Sequence, residues 1–116
     1  MRAVIVDDDD LVRTVLKGML ERLGVDVAHA VGTAAEATQA LDTVRPEDVL
    51  FLDVNLDSAR SSAAIGRRAA AAGMRVIAMT GSTRVPDGFP GEGILVKPIT
   101  TDQLKTMLAM TLQRAR

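Results

Sequence analysis

Four aspartates, Asp7 to Asp10, follow directly on the apolar run Val4-Ile5-Val6. Like charges this close repel, and a helix start needs only one or two carboxylates at its positive end. The excess calls for a cation. Another carboxylate, Asp53, closes the apolar run Val49 to Leu52, where burial makes a charge costly unless it is used. Together Asp7, Asp8 and Asp53 would place about three negative charges within a few ångströms, which requires a counter-ion. A small set of hard carboxylate oxygens suits Mg²⁺, which takes one or two protein carboxylates and completes its octahedron from water and phosphate oxygens. Thr80 and Lys97 fit the same chemistry, because a hydroxyl and an ammonium are what the non-bridging oxygens of a phosphoryl group need. Asp9 and Asp10 read as the first turn of the following helix.

These residues meet only if the chain delivers them to one place. Short Val- and Ile-rich runs at Ala3 to Val6, Val25 to Ala28, Val49 to Leu52, Val76 to Met79 and Ile94 to Val96 alternate with stretches of helical period, the rhythm of a parallel sheet built from βαβ units. Leu11, Val12, Val15, Leu16, Met19, Leu20 and Leu23 recur at spacings of three and four and predict a helix with one buried face, ended by Gly24. Thr33, with Glu36 three residues on, opens a second helix predicted to reach Val44. Arg60 to Ala72 gives a third. Thr100 or Thr101 caps a last one, in which Leu104, Met107, Leu108, Thr111 and Leu112 share a face. The segment from Gly81 to Gly93 also holds Pro86, Gly88, Pro90 and Gly91, too many breakers for an ordinary helix. In an open parallel sheet, ligands bind beyond the carboxyl ends of the strands. That edge would receive Asp7 and Asp8 from the first strand, Asp53 from the third, Thr80 from the fourth and Lys97 from the fifth, while the second ends at Ala28 and His29.

A chain of 116 residues fits one domain, here residues 1–116. A net charge of −1 with no basic run gives no footprint for nucleic acid. No apolar run approaches the roughly 20 residues that span a bilayer, and the absence of cysteine suits a reducing compartment. A cytoplasmic protein without membrane association is expected. Phe51 and Phe89 are the only aromatic residues, so aliphatic side chains must build the core.

The segments "VDDDDLVR" (6–13), "LFLDVNL" (50–56), "MTG" (79–81) and "LVKP" (95–98), in this order and each at a predicted strand end, make the chain resemble the receiver domains of two-component response regulators. The resemblance implies a flavodoxin-like (βα)5 doubly wound sheet of strand order 2-1-3-4-5. It implies Asp53 as the residue phosphorylated by a histidine kinase or histidine phosphotransfer protein. Mg²⁺ would be held by Asp8, Asp53 and the Asn55 carbonyl, with Asp7 acting through water. Lys97 would pair with the phosphoryl group, Thr80 would turn toward it as a switch, and Asn55 and Ser82 would tune its hydrolysis. It also implies a cis peptide before Pro98. Several features depart from the family pattern. The loop "NLDSARSS" (55–62) lacks Pro and Gly, Gly81 follows the switch hydroxyl, and Ile94 stands where many members carry an aromatic ring. The stretch from Thr80 to Lys97 is short, so the fourth helix should be brief, irregular or absent.

The expected function is that of a stand-alone, Mg²⁺-dependent phosphoacceptor that signals by docking to a protein target. It would show slow autodephosphorylation but no enzymatic turnover, and a homodimer is compatible with it. Output is expected through the 81–93 segment, with Phe89 as its apolar contact. A non-phosphorylated docking module of the same fold is the alternative. An aspartate-nucleophile phosphatase of the haloacid dehalogenase type would need a second Asp where Asn55 stands. A flavodoxin-type FMN protein would not place an acidic loop at the phosphate.

Overall fold

The β-branched runs form strands and the periodic stretches form helices. In this computed structural model, which describes residues 1–56, 58–82 and 84–113, the strands are β1 (Arg2–Val6), β2 (Asp26–Val31), β3 (Val49–Asp53), β4 (Arg75–Thr80) and β5 (Gly93–Val96). The helices are α1 (Asp10–Arg22), α2 (Ala34–Ala40), α3 (Ala59–Ala71) and α4 (Thr101–Gln113). All strand pairs are parallel and the order is β2-β1-β3-β4-β5. This is the flavodoxin-like doubly wound sheet. The order reverses at β1 and β3, the central pair, which opens a crevice at their carboxyl ends.

Alternation along the strands sorts the core into two layers. Ala3, Ile5, Val49, Phe51, Ile77, Met79 and Leu95 pack with Leu16 and Leu20 of α1 and Leu104 and Leu108 of α4. Val4, Val6, Leu50, Leu52 and Val76 pack on the other face with Ala37 and Ala40 of α2 and Ile65 and Ala69 of α3. At the far end of the sheet the buried Asp48 carboxylate accepts from Arg2 Nη2 at 2.7 Å and from the Arg45 N–H at 2.9 Å, which ties β1 to the start of β3.

The helix ends follow local chemistry. Asp9 is the N-cap of α1, accepting from the N–H groups of Leu11 (2.9 Å) and Val12 (3.2 Å). Thr33 accepts from Glu36 N–H at 3.1 Å. Of the two candidates at the last helix, Thr100 makes the cap: its hydroxyl accepts from Gln103 N–H (3.2 Å), and Gln103 returns an oxygen to Thr100 N–H (3.1 Å). Gly24 and Gly73 stop α1 and α3 at φ of +83° and +89°, where any residue with a Cβ is strained.

Three expectations are corrected. β2 runs on to Val31, because Ala30 and Val31 continue the ladder beside Ile5 and Val6; His29 therefore lies within the strand and hydrogen-bonds Thr43 Oγ1 at 2.8 Å. α2 stops at Ala40, and Asp42 and Thr43 make short i→i−3 bonds before Pro46 turns the chain. On α1 the apolar face is wider than the core can cover: Leu11 is 70% exposed and Val15 45%. Met110 on α4 is likewise exposed, while Met107 packs against the core. The expected role of the Leu112 side chain lies outside the described residues.

Between β4 and β5 no helix forms among the described residues. The breakers explain its absence, but the segment is not loose. Phe89 packs against the α2–α3 layer of the core, its N–H donates to the Pro86 carbonyl at 3.1 Å, and Glu92 N–H donates to Val76 O at 2.8 Å. Phe89 is thus a half-buried anchor rather than an exposed partner contact. Gly66 of α3 makes room for this packing. A Cβ there would stand 2.8 Å from Pro90 Cγ and 3.2 Å from Leu52 Cδ2. In a helix interior Gly→Ala normally adds about 1 kcal/mol of stability. Gly66→Ala is expected to do the opposite, lowering stability by about 1–3 kcal/mol through overpacking. Urea unfolding measures the sign, and a gain would mean that the segment yields freely to α3.

Candidate functional site

Four of the five strand ends, those of β1, β3, β4 and β5, supply the residues of the site. β1 passes into Asp7, whose N–H donates to Val31 O at 3.1 Å and whose Oδ1 accepts from the Asp9 N–H at 2.9 Å. The second bond folds the acidic loop back, so that Asp7 is fully buried while Asp8 remains exposed. Arg13 braces the loop from α1, donating to Asp7 O and to Asp10 Oδ1, both at 2.7 Å. β3 ends in Asp53, which is buried and accepts from Asn55 N–H at 3.2 Å. The loop beyond is stapled from α3: the buried Ser62 hydroxyl accepts from Leu56 N–H at 2.8 Å.

Lys97 follows β5. Its N–H donates to Thr80 O at 2.7 Å, the peptide to Pro98 is cis, and its ammonium lies 2.6 Å from Asp7 Oδ2 and 3.6 Å from Asp53 Oδ1. Burial lowers the pKa of the amine, but Asp7 and Asp53 outweigh it and hold the group above the ordinary lysine range. At Asp53 burial is the largest influence and raises the carboxyl pKa. Asn55 N–H and Lys97 oppose this, Asp7 and Asp8 add to it, and the net result lies above the usual aspartate value.

The structure therefore brings Asp7, Asp8, Asp53, Asn55, Thr80 and Lys97 to one edge of the sheet. Ligand oxygens of Asp7, Asp8 and Asp53 lie within 4.8 Å of one another. Asp7 Oδ2 is wholly buried, and the Lys97 ammonium 2.6 Å away is the cation it faces. Three clustered carboxylates facing one ammonium leave negative charge unbalanced, and such a set of hard oxygen donors fits a small divalent cation.

Thr80, also buried, donates its hydroxyl to Arg84 O at 3.3 Å and accepts from Ser82 N–H at 3.1 Å. Asp53, Val54, Asn55, Thr80, Gly81, Ser82, Arg84 and Pro86 line an open cleft beside the carboxylate. Sequence reasoning missed Arg13, Ser62 and Arg84. Arg13 stands three residues after Asp10, a legible helical ion-pair spacing. Ser62 carried no signal. The shortness of the Thr80–Lys97 stretch was the available clue to Arg84.

The response regulator receiver domain model matches residues 3–109, and no curated protein matches the sequence. Among solved structures, a CheY-like response regulator receiver domain from Methylobacillus flagellatus is 27% identical with a TM-score of 0.80, over 95% of this chain and 97% of that one. The signal receiver domain of a modulated diguanylate cyclase from Desulfovibrio desulfuricans is 28% identical with a TM-score of 0.81, over 94% of this chain and 90% of that one. A receiver domain of a sensor histidine kinase from Pseudomonas aeruginosa, solved with a magnesium ion in its active-site cleft, is 22% identical with a TM-score of 0.77, over 94% of each chain.

Proposed function

The chain belongs to the response regulator receiver domain family, and from that premise we propose that Asp53 is its phosphoacceptor, charged by a histidine kinase or histidine phosphotransfer protein. One observation carries the reading: a buried Asp53 carboxylate 3.6 Å from Lys97, clustered with the carboxylates of Asp7 and Asp8. Asp53 Oδ attacks the phosphorus of a phosphohistidine, the P–N bond breaks, and the imidazole leaves with the electron pair. A carboxylate is a weak nucleophile, so the protein contributes positioning and charge neutralisation rather than a strong base. Asp7, Asp8, Asp53 and the Asn55 carbonyl would hold Mg²⁺, which when bound neutralises charge on the transferring phosphoryl oxygens. Lys97 pairs with the phosphoryl group. Thr80 gives up its bond to Arg84 O and turns its hydroxyl toward the same oxygens.

Residues 1–116 act as one receiver domain, working as a cytoplasmic signalling module rather than a turnover enzyme. No described helix is long and apolar enough to cross a membrane. Incubating the protein with a small phosphodonor such as acetyl phosphate tests the reading by intact mass. One phosphoryl group, lost on treatment with hydroxylamine, is expected with Mg²⁺ and none with a chelator. Uptake indifferent to divalent ions would overturn the metal assignment.

The phosphodonor protein must reach Asp53 across the same edge. There Leu11, Val12, Val15 and Met19 of α1 form an apolar groove with Pro98 and Ile99, bordered by Lys97. Exposed Leu11 and Val15 give that partner its grip. Leu11→Asp is expected to slow phosphotransfer from a protein donor by about tenfold or more, the loss of one good apolar contact plus a desolvated charge. Uptake from acetyl phosphate should stay unchanged. Equal slowing with both donors would place the defect in the site, not the docking face.

A further inference from the structure

We propose that Arg84 is a second phosphoryl-binding cation, delivered to the cleft by the segment between β4 and β5. This rests on Asp53 being the phosphoacceptor. Lys97 keeps its amine nearer to Asp7 (2.6 Å) than to Asp53 (3.6 Å) and does not line the cleft that opens from Asp53 toward Asn55, Thr80 and Ser82. Arg84 is among its lining residues and is the one cationic residue among them. Its guanidinium has no ion-pair partner among the described residues, so it is available.

Charge makes the need plain. Before phosphorylation Lys97 and one divalent ion, when bound, would balance Asp7, Asp8 and Asp53. An aspartyl phosphate carries about two negative charges where the carboxylate carried one, which leaves the loaded site one positive charge short. A guanidinium matches phosphoryl oxygens with paired donors.

The local backbone keeps Arg84 at hand. Its carbonyl accepts from both Thr80 Oγ1 and Ser82 Oγ at 3.3 Å, and its N–H donates to Ser82 Oγ at 3.2 Å. When Thr80 turns to the phosphoryl group, Ser82 still tethers Arg84 beside it. On the far side, Phe89 and Pro90 are fixed against the core and α3, so the arm between the two anchors is short.

The test is titration of beryllofluoride in Mg²⁺, followed by ¹⁹F NMR of the bound fluoride, on the parent, Arg84→Gln, Arg84→Lys and Arg67→Gln. Arg67 lies exposed on α3 and serves as the control for general charge. Arg84→Gln should bind about tenfold more weakly or worse, as loss of a hydrogen bond to a charged group implies. Arg84→Lys should recover part of that affinity, and Arg67→Gln should match the parent. If Arg84→Gln binds like the parent, the assignment of Arg84 fails while Asp53 stands. A parent that takes up no beryllofluoride overturns both.

Discussion

Asp53→Asn should leave the protein unable to take up a phosphoryl group, with labelling from phosphohistidine or acetyl phosphate falling to background. The amide has the size of the carboxylate but lacks its nucleophilic anion, and among the described residues no other carboxylate has the same surroundings. Asp7 is tied to Lys97 and Asp9 N–H, and Asp8 stands exposed at the rim. A loss of about 10²-fold or more is expected where covalent chemistry loses its nucleophile. Undiminished labelling of Asp53→Asn would refute the phosphoacceptor reading outright. The same substitution carries a second signature. Because the folded protein holds the Asp53 carboxyl pKa above its unfolded value, the native state binds this proton more readily than the unfolded chain. Its ionisation therefore removes stability as pH rises from the unfolded pKa through the folded one. Without divalent ions, Asp53→Asn should melt above the parent at neutral pH, and the gap should close as pH falls below the normal aspartate range. Melting curves at several pH values, in chelator, decide it.

The other large effect lies in the core. Phe51 is fully buried on the central strand β3, two residues before Asp53, and packs in the layer beneath α1 and α4. With so few aromatic residues in the chain, no neighbouring ring can fill the space it leaves. Phe51→Ala should cost about 3–5 kcal/mol, a large part of the roughly 5–15 kcal/mol typical of a small domain. Urea denaturation reads this directly. A cost below about 1 kcal/mol would mean that α1 and α4 collapse onto the sheet with little loss.

The site was legible in the sequence because its chemistry sits where strands end. A run such as Val49 to Leu52 fixes a buried strand, and the carboxylate that closes it is forced to the sheet edge; Asp7, Thr80 and Lys97 were placed by the same logic. Distances were not legible, and neither was the preference of Lys97 for Asp7 over Asp53. Periodicity overstated the buried face of α1, because helical spacing marks an apolar stripe without saying how wide the sheet beneath it is. Leu11 and Val15 lie beyond that width. The Gly- and Pro-rich stretch announced a missing helix, but not that Phe89 and Pro90 would fill the helix's place on the core. That packing depends on Gly66 being small, a fact about a different element.

Because every strand pairing in the sheet is parallel, no two partners are joined by a tight hairpin, and the chain must travel out and back before each pairing forms. The groups at the site lie at positions 7, 8, 53, 80 and 97, so they meet only when β5, at the sheet's edge, has docked. Until then the acidic cluster exists without its lysine. A chain in which β5 has not docked carries the carboxylates yet lacks the lysine that faces them. On the reading of Asp53 as phosphoacceptor, competence to take up a phosphoryl group then certifies completed folding, and defective copies stay silent.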